Sequence, residues 1–172
     1  MAVTRLYHGG CELEGNKVLA GELFNGMFFS NSYDSADSHG DGVLCYVDID
    51  DESIMKNDEI SGLNNEVCNY IEKRFELTDD EYDKVDMLCE VIRGDIGVVD
   101  LDEEDQEIIK RRYQPELYND WLDWSYVGWD MQKEASLIAE MLGYKAVGVR
   151  DEHGTSYIVV PGVEFTRVEY DG

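Results

Sequence analysis

Residues 144–169, YKAVGVRDEHGTSYIVVPGVEFTRVE, constrain the fold more than any other stretch of the chain. Ala146, Val147 and Val149 form a short apolar run with the β-branched bias of a buried strand. Asp151-Glu152-His153-Gly154 breaks it, since Gly154 is able to take the positive φ of a tight turn and Asp151 is able to bond its own backbone. A second apolar run spans Tyr157 to Val160. Pro161-Gly162 is a turn dipeptide, and Val163, Phe165 and Val168 continue beyond it. The pattern predicts strand, polar turn, strand, turn, strand. Two carboxylates and an imidazole then stand at one end of a sheet, on a turn held by rigid strands. Such a turn is either an ordinary polar hairpin or a well-supported place for a polar site.

A chain of 172 residues is long enough for one full core, and a single domain over 1–172 is expected. Lys+Arg number 14 against Asp+Glu 39, a net charge of −25. At 43% hydrophobic the chain is still globular rather than disordered. Such acidity argues against direct binding of nucleic acid or of an anionic membrane. It suits a partner with a basic face, for instance a protein that itself binds DNA, or it serves solubility alone. None of the four cysteines lies in a C-x-x-C pair or has a His at metal-ligand spacing, so no metal site is expected. Cys45, Cys68 and Cys89 fall within apolar patterns and read as packed thiols. The absence of a signal peptide and of a spanning apolar run points to the cytoplasm.

Towards the N-terminus, VTRLYH (3–8) alternates as a strand that stops at Gly9-Gly10, with His8 at its exit. Leu23, Phe24, Met27, Phe28 and Phe29 form an aromatic cluster interrupted by Asn25-Gly26. SNSYDSADS (30–38) carries N-cap residues spaced for a short helix. VLCYVDI (43–49) is a strand. The span 50–127 differs in character, holding 24 of the 39 acidic residues and reading as an acidic, mainly helical insertion. One helix puts Val67, Tyr70, Ile71 and Phe75 on one face. Thr78-Asp79-Asp80-Glu81 is a capping box opening a second, which ends at Gly94. A third runs from about Asp102 to Tyr113, acidic at its start and basic at its end. The tryptophan-rich LYNDWLDWSYVGW follows, as core packing or as interface. Asp130 to Leu142 is an amphipathic helix with Ala135, Ile138, Ala139 and Leu142 inward.

Three segments together resemble the ADP-ribosyltransferase fold of the diphtheria-toxin and poly-ADP-ribose polymerase type. They are LYHGG (6–10), GMFFS (26–30) followed by a short helix, and LGYKAV…DEHGTSYIVVPG near the C-terminus. Phage-encoded anti-CRISPR ADP-ribosyltransferases are more closely similar, through SHG (38–40), Trp129 and Gln132 in a Trp-x-x-Gln helix opening, LGY (142–144) and DEHGT (151–155). The resemblance implies an α+β fold of split, mostly antiparallel sheets with peripheral helices. It covers roughly residues 4–50 and 128–168, and the acidic middle has no motif that aligns. One departure stands out. Many relatives carry a catalytic Glu immediately before the aromatic of the third motif, where this chain has Ser156. The anti-CRISPR branch places its acid in the DEHGT turn, which points to Asp151, with Glu152 second.

What the resemblance implies is an enzyme that cleaves the nicotinamide–ribose bond of NAD, its co-substrate, and transfers ADP-ribose to a protein. Cleavage of that bond passes through an oxocarbenium-like state, as glycoside cleavage does. A fixed carboxylate stabilises the developing charge and accepts the nucleophile's proton. His8 would hold a ribose hydroxyl, and Gly9 would bond the nicotinamide amide through its backbone. An aromatic from Tyr7, Phe28, Phe29 or Tyr33 would stack on the ring, with Ser30 beside it. No G-x-G-x-x-G is present, so NAD would be held by a fold other than Rossmann's. The implied target is a DNA-binding subunit of a CRISPR surveillance complex. Two other readings stand beside this one: a non-catalytic acidic inhibitor acting by charge mimicry, and an enzyme of the same fold acting on tRNA, which the acidity disfavours.

Overall fold

Apolar residues at every second position make strands, and the longest such run lies at the centre of the first sheet. A computed structural model of the chain describes residues 2–10, 13–21, 24–40, 42–112, 124–151 and 154–168. Strand β3 (Val43–Asp50) buries Val43, Cys45, Val47 and Ile49 on one face. It pairs antiparallel with β1 (Val3–Gly9) along its whole length. On its other side it meets β7 (Thr166–Arg167). The second sheet has the order β2-β6-β5-β4, with β2 at Met27–Phe29, β4 at Ile54–Met55, β5 at Ala146–Asp151 and β6 at Gly154–Val159. Its pairings are antiparallel except for β4 with β5. The strand-turn-strand of residues 146–159 is therefore a tight hairpin in which Asp151 pairs with Gly154.

Among the described residues one reciprocal backbone pair links the two sheets. Tyr7 N–H donates to the Ser30 carbonyl and Ser30 N–H to the Tyr7 carbonyl, both at 2.8 Å. Between the sheets lie Leu6, Phe29, Cys45, Val47, Ile49, Ala146, Val159 and Phe165. The opposite face of the second sheet presents Val147, Val149, Ile158 and Val160 to the helices. Burial on both faces is the reason the β5 and β6 sequences read as continuous apolar runs rather than as alternation.

The helices are α1 (Tyr33–Asp37), α2 (Asn65–Arg74), α3 (Val85–Arg93), α4 (Glu103–Lys110) and α5 (Trp124–Met141). Asn64 caps α2 by accepting from the backbone of Glu66 and Val67, and Asp102 caps α4 from Asp105. Glu81 reaches back to the Thr78 N–H at 3.1 Å and opens a 3₁₀ turn that runs on into α3. Leu88, Cys89 and Ile92 of α3 and Met131, Ala135, Ile138 and Ala139 of α5 pack together over the second sheet. None of the described helices is long and apolar enough to cross a membrane.

Two expectations needed correction. The predicted strand over 163–169 shrinks to Thr166–Arg167. Val163 and Phe165 instead accept from and donate to the Val18 and Asn16 backbones, so the segment is held by the 16–18 loop rather than by a sheet. The helix predicted from Asp130 begins earlier, at Trp124, so the end of the tryptophan-rich stretch is helical. The rest of that stretch, residues 117–123, lies outside the described residues, as do Cys11 and Leu23.

Sequence inspection also missed what α5 buries. Glu134 is wholly buried and accepts from Arg74 Nε at 2.9 Å, Arg112 Nη2 at 2.6 Å and the Tyr70 hydroxyl. Arg112 also lies over the Phe75 ring at 4.7 Å. A buried carboxylate is tolerable only with such partners. Burial, and next the carboxylate beside it, push the Tyr70 phenol well above its ordinary value. The cluster ties α2 and the end of α4 to α5.

Candidate active site

Where β1 leaves the first sheet, the chain opens a cleft. His8 and Gly9 end the strand, and the register with β3 shifts between them, His8 pairing with Cys45 and Gly9 with Val43. The Tyr7–Ser30 pair brings the end of β2 alongside, so Phe28, Phe29 and Ser30 face the same space. From the other side the start of β6 contributes Thr155 and Ser156. The cleft has two adjoining parts. One, of about 340 Å³, is lined by Tyr7, His8, Gly9, Phe28, Phe29 and His39 among others. The second, of about 490 Å³, adds Asn31, Ser32, Ser35 and Thr155. Phe28, Ser30, His39 and Ser156 line both parts.

The His8 ring is fixed at both ends. Its Nδ1 lies 2.7 Å from the Phe28 carbonyl, and its ring packs 5.4 Å from that of Phe29. A carbonyl only accepts, so Nδ1 carries the proton, and in the neutral ring Nε2 is left as an acceptor. Phe29 is 2% exposed and backs the imidazole, whereas Phe28 is half-buried, lines both parts, and packs its ring edge-on against Phe24 at 4.6 Å and against the helix-side core. Tyr7 lines the cleft, and Tyr33 packs edge-on against it at 5.3 Å without reaching the lining itself. Gly9 is required by α1. A Cβ there would stand 1.8 Å from the Ala36 carbonyl oxygen. Gly26 plays the matching part at the entry to β2: its φ is +130°, and a Cβ would stand 2.0 Å from the Val159 carbonyl oxygen. The seven predicted contact positions Tyr7, His8, Gly9, Phe28, Phe29, Ser30 and Tyr33 thus gather at one place, six in the wall and one behind it.

The two predicted acids are placed less fully. Asp151 is the last residue of β5, paired through its backbone with Gly154, two residues before Ser156. Glu152 lies outside the described residues. Ser156, immediately before the aromatic Tyr157 of the third motif, lines the cleft and brings a hydroxyl rather than a carboxylate. His39 and Ser35 line the cleft too and were not selected from the sequence. The signal for His39 was its place in SHG directly after α1. Ser35 had none beyond its place in a helix that caps itself, Ser32 Oγ accepting from Ser35 N.

Two sheets joined at a backbone pair, with a His-Gly strand end and an aromatic strand meeting in a polar cleft, define a domain of the ADP-ribosyltransferase class. Comparison with known proteins agrees. The model of the family described as Anti-CRISPR Type I-F ADP-ribosyltransferase AcrIF11 matches residues 4–167, and the chain belongs to that family. Among solved structures, one titled "Crystal structure of an anti-CRISPR protein" is similar over 96% of both chains, with 24% identity and a TM-score of 0.53. That likeness bears on the fold. No curated protein matches the chain. The protein is accordingly an anti-CRISPR ADP-ribosyltransferase of α+β fold.

Proposed function

We propose that the cleft binds NAD and that the protein transfers ADP-ribose to a DNA-binding subunit of a CRISPR effector complex. The observation that carries this is the meeting of His8, Gly9, Phe28, Ser30 and Ser156 in one cleft, from three separate stretches of sequence. A cleft of this size with an apolar wall and a few convergent polar groups suits a small-molecule ligand. Its donors and acceptors fit the nicotinamide riboside half of NAD. The wall aromatics Tyr7 and Phe28 border the space for the nicotinamide ring, His8 Nε2 offers an acceptor for a ribose hydroxyl, and the Ser30, Ser35 and Ser156 side chains are neutral partners. NAD supplies a glycosidic bond that breaks with nicotinamide leaving, so that an acceptor atom of the target takes its place on the ribose.

In this reading the acid is Asp151, with Glu152 second. It stands on the turn beyond Ser156 because the strand position itself carries no carboxylate. Its tasks are to stabilise positive charge on the sugar and to take the acceptor's proton. Residues 1–172 act as a single domain in the host cytoplasm, and 50–127 is an acidic insertion that approaches the target. Complementary charge steers such an encounter without contributing to the chemistry. The basic surface expected on the target is one that would otherwise hold DNA.

The test is incubation of the protein with the effector complex and NAD labelled in its adenylate part. Label on one protein subunit, with an equal amount of nicotinamide released, is expected. Unlabelled subunits with NAD intact would refute the assignment.

A further inference from the structure

The carbonyl of Arg150, the residue before the turn acid, is held from α5. Gln132 Nε2 donates to it at 3.3 Å. The Arg150 side chain is held separately: its Nη1 lies 2.5 Å from Asp95 Oδ1, and Asp95 in turn accepts from Arg93 Nε at 2.8 Å. Arg93 is the last residue of α3, and its Nη1 donates to the Ile60 carbonyl at 2.7 Å. One residue therefore receives a main-chain bond from one helix and a side-chain ion pair from the loop after another. Arg150 sits directly across the hairpin from Thr155, which lines the cleft.

The same helix also fixes the opposite wall. The Ser136 hydroxyl donates to the Asn25 carbonyl, just before Gly26 and β2. Gln132 and Ser136 are one turn apart and so share a face of α5. That face reaches the entry of β2 through Ser136 and the exit of β5 through Gln132. Phe28 and the turn acid belong to these two strands, so their separation is referred to one rigid element. Catalytic geometry must hold within about 0.5 Å, which loops alone do not supply.

We infer that Gln132 and Asp95 are positioning residues, which act through Arg150 to set the turn carboxylate against the sugar. This rests on the reading of the cleft given above. Neither residue lines the cleft, so neither touches the co-substrate.

Gln132→Ala and Asp95→Asn should each lower kcat for ADP-ribosyl transfer by roughly ten- to a hundredfold, as displacement of a reacting group by about 1 Å does. KM for NAD should stay within about twofold, because the cleft wall is intact. The thermal midpoint should not move, since the bonds removed are at the surface. Asp95→Glu, which keeps the charge opposite Arg150, should recover most of the rate. Because both act through Arg150, the double variant should lose less than the product of the single losses. Rates within twofold of the unmodified protein, a KM increase that accounts for the whole loss, or a fall in thermal midpoint with the rate would each overturn the inference. If Gln132→Ala does not fold, the Asp95 pair decides alone. An unmodified protein that transfers nothing refutes the cleft assignment instead, so the two failures are distinct.

Discussion

Placing a methyl group on Gly9 tests the site's architecture at its tightest point. An alanine Cβ there would lie 1.8 Å from the carbonyl oxygen of Ala36 and 2.8 Å from its carbon. Side-chain carbons are essentially never found closer than 3.0 Å to such an atom. The gap between β1 and α1 would have to open by more than about 1.2 Å, the difference of those distances. The obstruction is backbone and has no rotamer to change. Overpacking of this kind costs about 1–3 kcal/mol. In a chain of this length that lowers the thermal midpoint by roughly 2–12 °C, taking about 2–4 °C per kcal/mol. α1 carries Ser35 and leads into His39, so the far wall of the cleft moves with it. A misplacement of about 1 Å costs around a hundredfold in rate. Differential scanning calorimetry and initial rates of labelled ADP-ribosyl transfer measure the two effects. Gly10→Ala is the stability control, since its Cβ would meet His8 Nε2 at an ordinary 3.6 Å and should leave the midpoint unchanged. A Gly9→Ala protein with the original midpoint and the original rate would refute the reasoning.

Other outcomes follow from the same structure. Asp151→Ala should cut transfer by about a hundred- to a thousandfold, or about 2.7–4 kcal/mol, with folding unchanged by circular dichroism. Glu134→Ala should cost about 3 kcal/mol in denaturant unfolding, the low end for a broken buried pair, because Arg112 keeps only Asp130 at 3.5 Å and Arg74 is left to solvent. Glu81 is held below the ordinary carboxylate range by the Thr78 backbone N–H and by Arg111. A lowered carboxylate gives stability that is present above its unfolded value, about 4.3, and is lost as pH falls through the folded one. Glu81→Gln should therefore destabilise at neutral pH and show a flatter loss of stability below about pH 4 in acid titrations. Cys45 and Cys89 are buried thiols pushed up to about 12 and about 11 by desolvation, so iodoacetamide should modify them only after unfolding.

Much of this was legible in the residues. The strands at 3–8, 43–49 and 145–150 follow from alternation or β-branched runs, and the hairpin from a polar break between two apolar stretches. Thr78 and Asp102 announced their helices because capping is a local effect. What escaped depends on partners distant in sequence. Met27–Phe29 is a strand only because β6 lies beside it, and Ile54–Met55 only because β5 does. Glu134 reads as a solvated helix residue until Arg74 and Arg112 arrive from other helices. Gly9 suggested close approach to a ligand, and the structure adds a neighbour that needs the same space, the Ala36 carbonyl. His39 stands in SHG and Ser156 before the aromatic of the third motif, but neither pattern says that the two meet. Their shared place in the cleft comes from tertiary approach of the chain after α1 to the start of β6, which nothing local in the sequence encodes.

Catalysis and charge mimicry make opposite demands on stoichiometry. An acidic protein that merely covers a basic surface must match its target one to one and is indifferent to NAD. A transferase turns over. The most direct measurement is therefore a titration of the protein against DNA binding by a CRISPR effector complex, with and without NAD. With NAD, loss of DNA binding is expected well below one equivalent and should persist after the protein is removed. Without NAD, the same amounts should leave DNA binding intact. Equal potency in both conditions, saturating at one equivalent, would contradict an enzymatic role for the cleft.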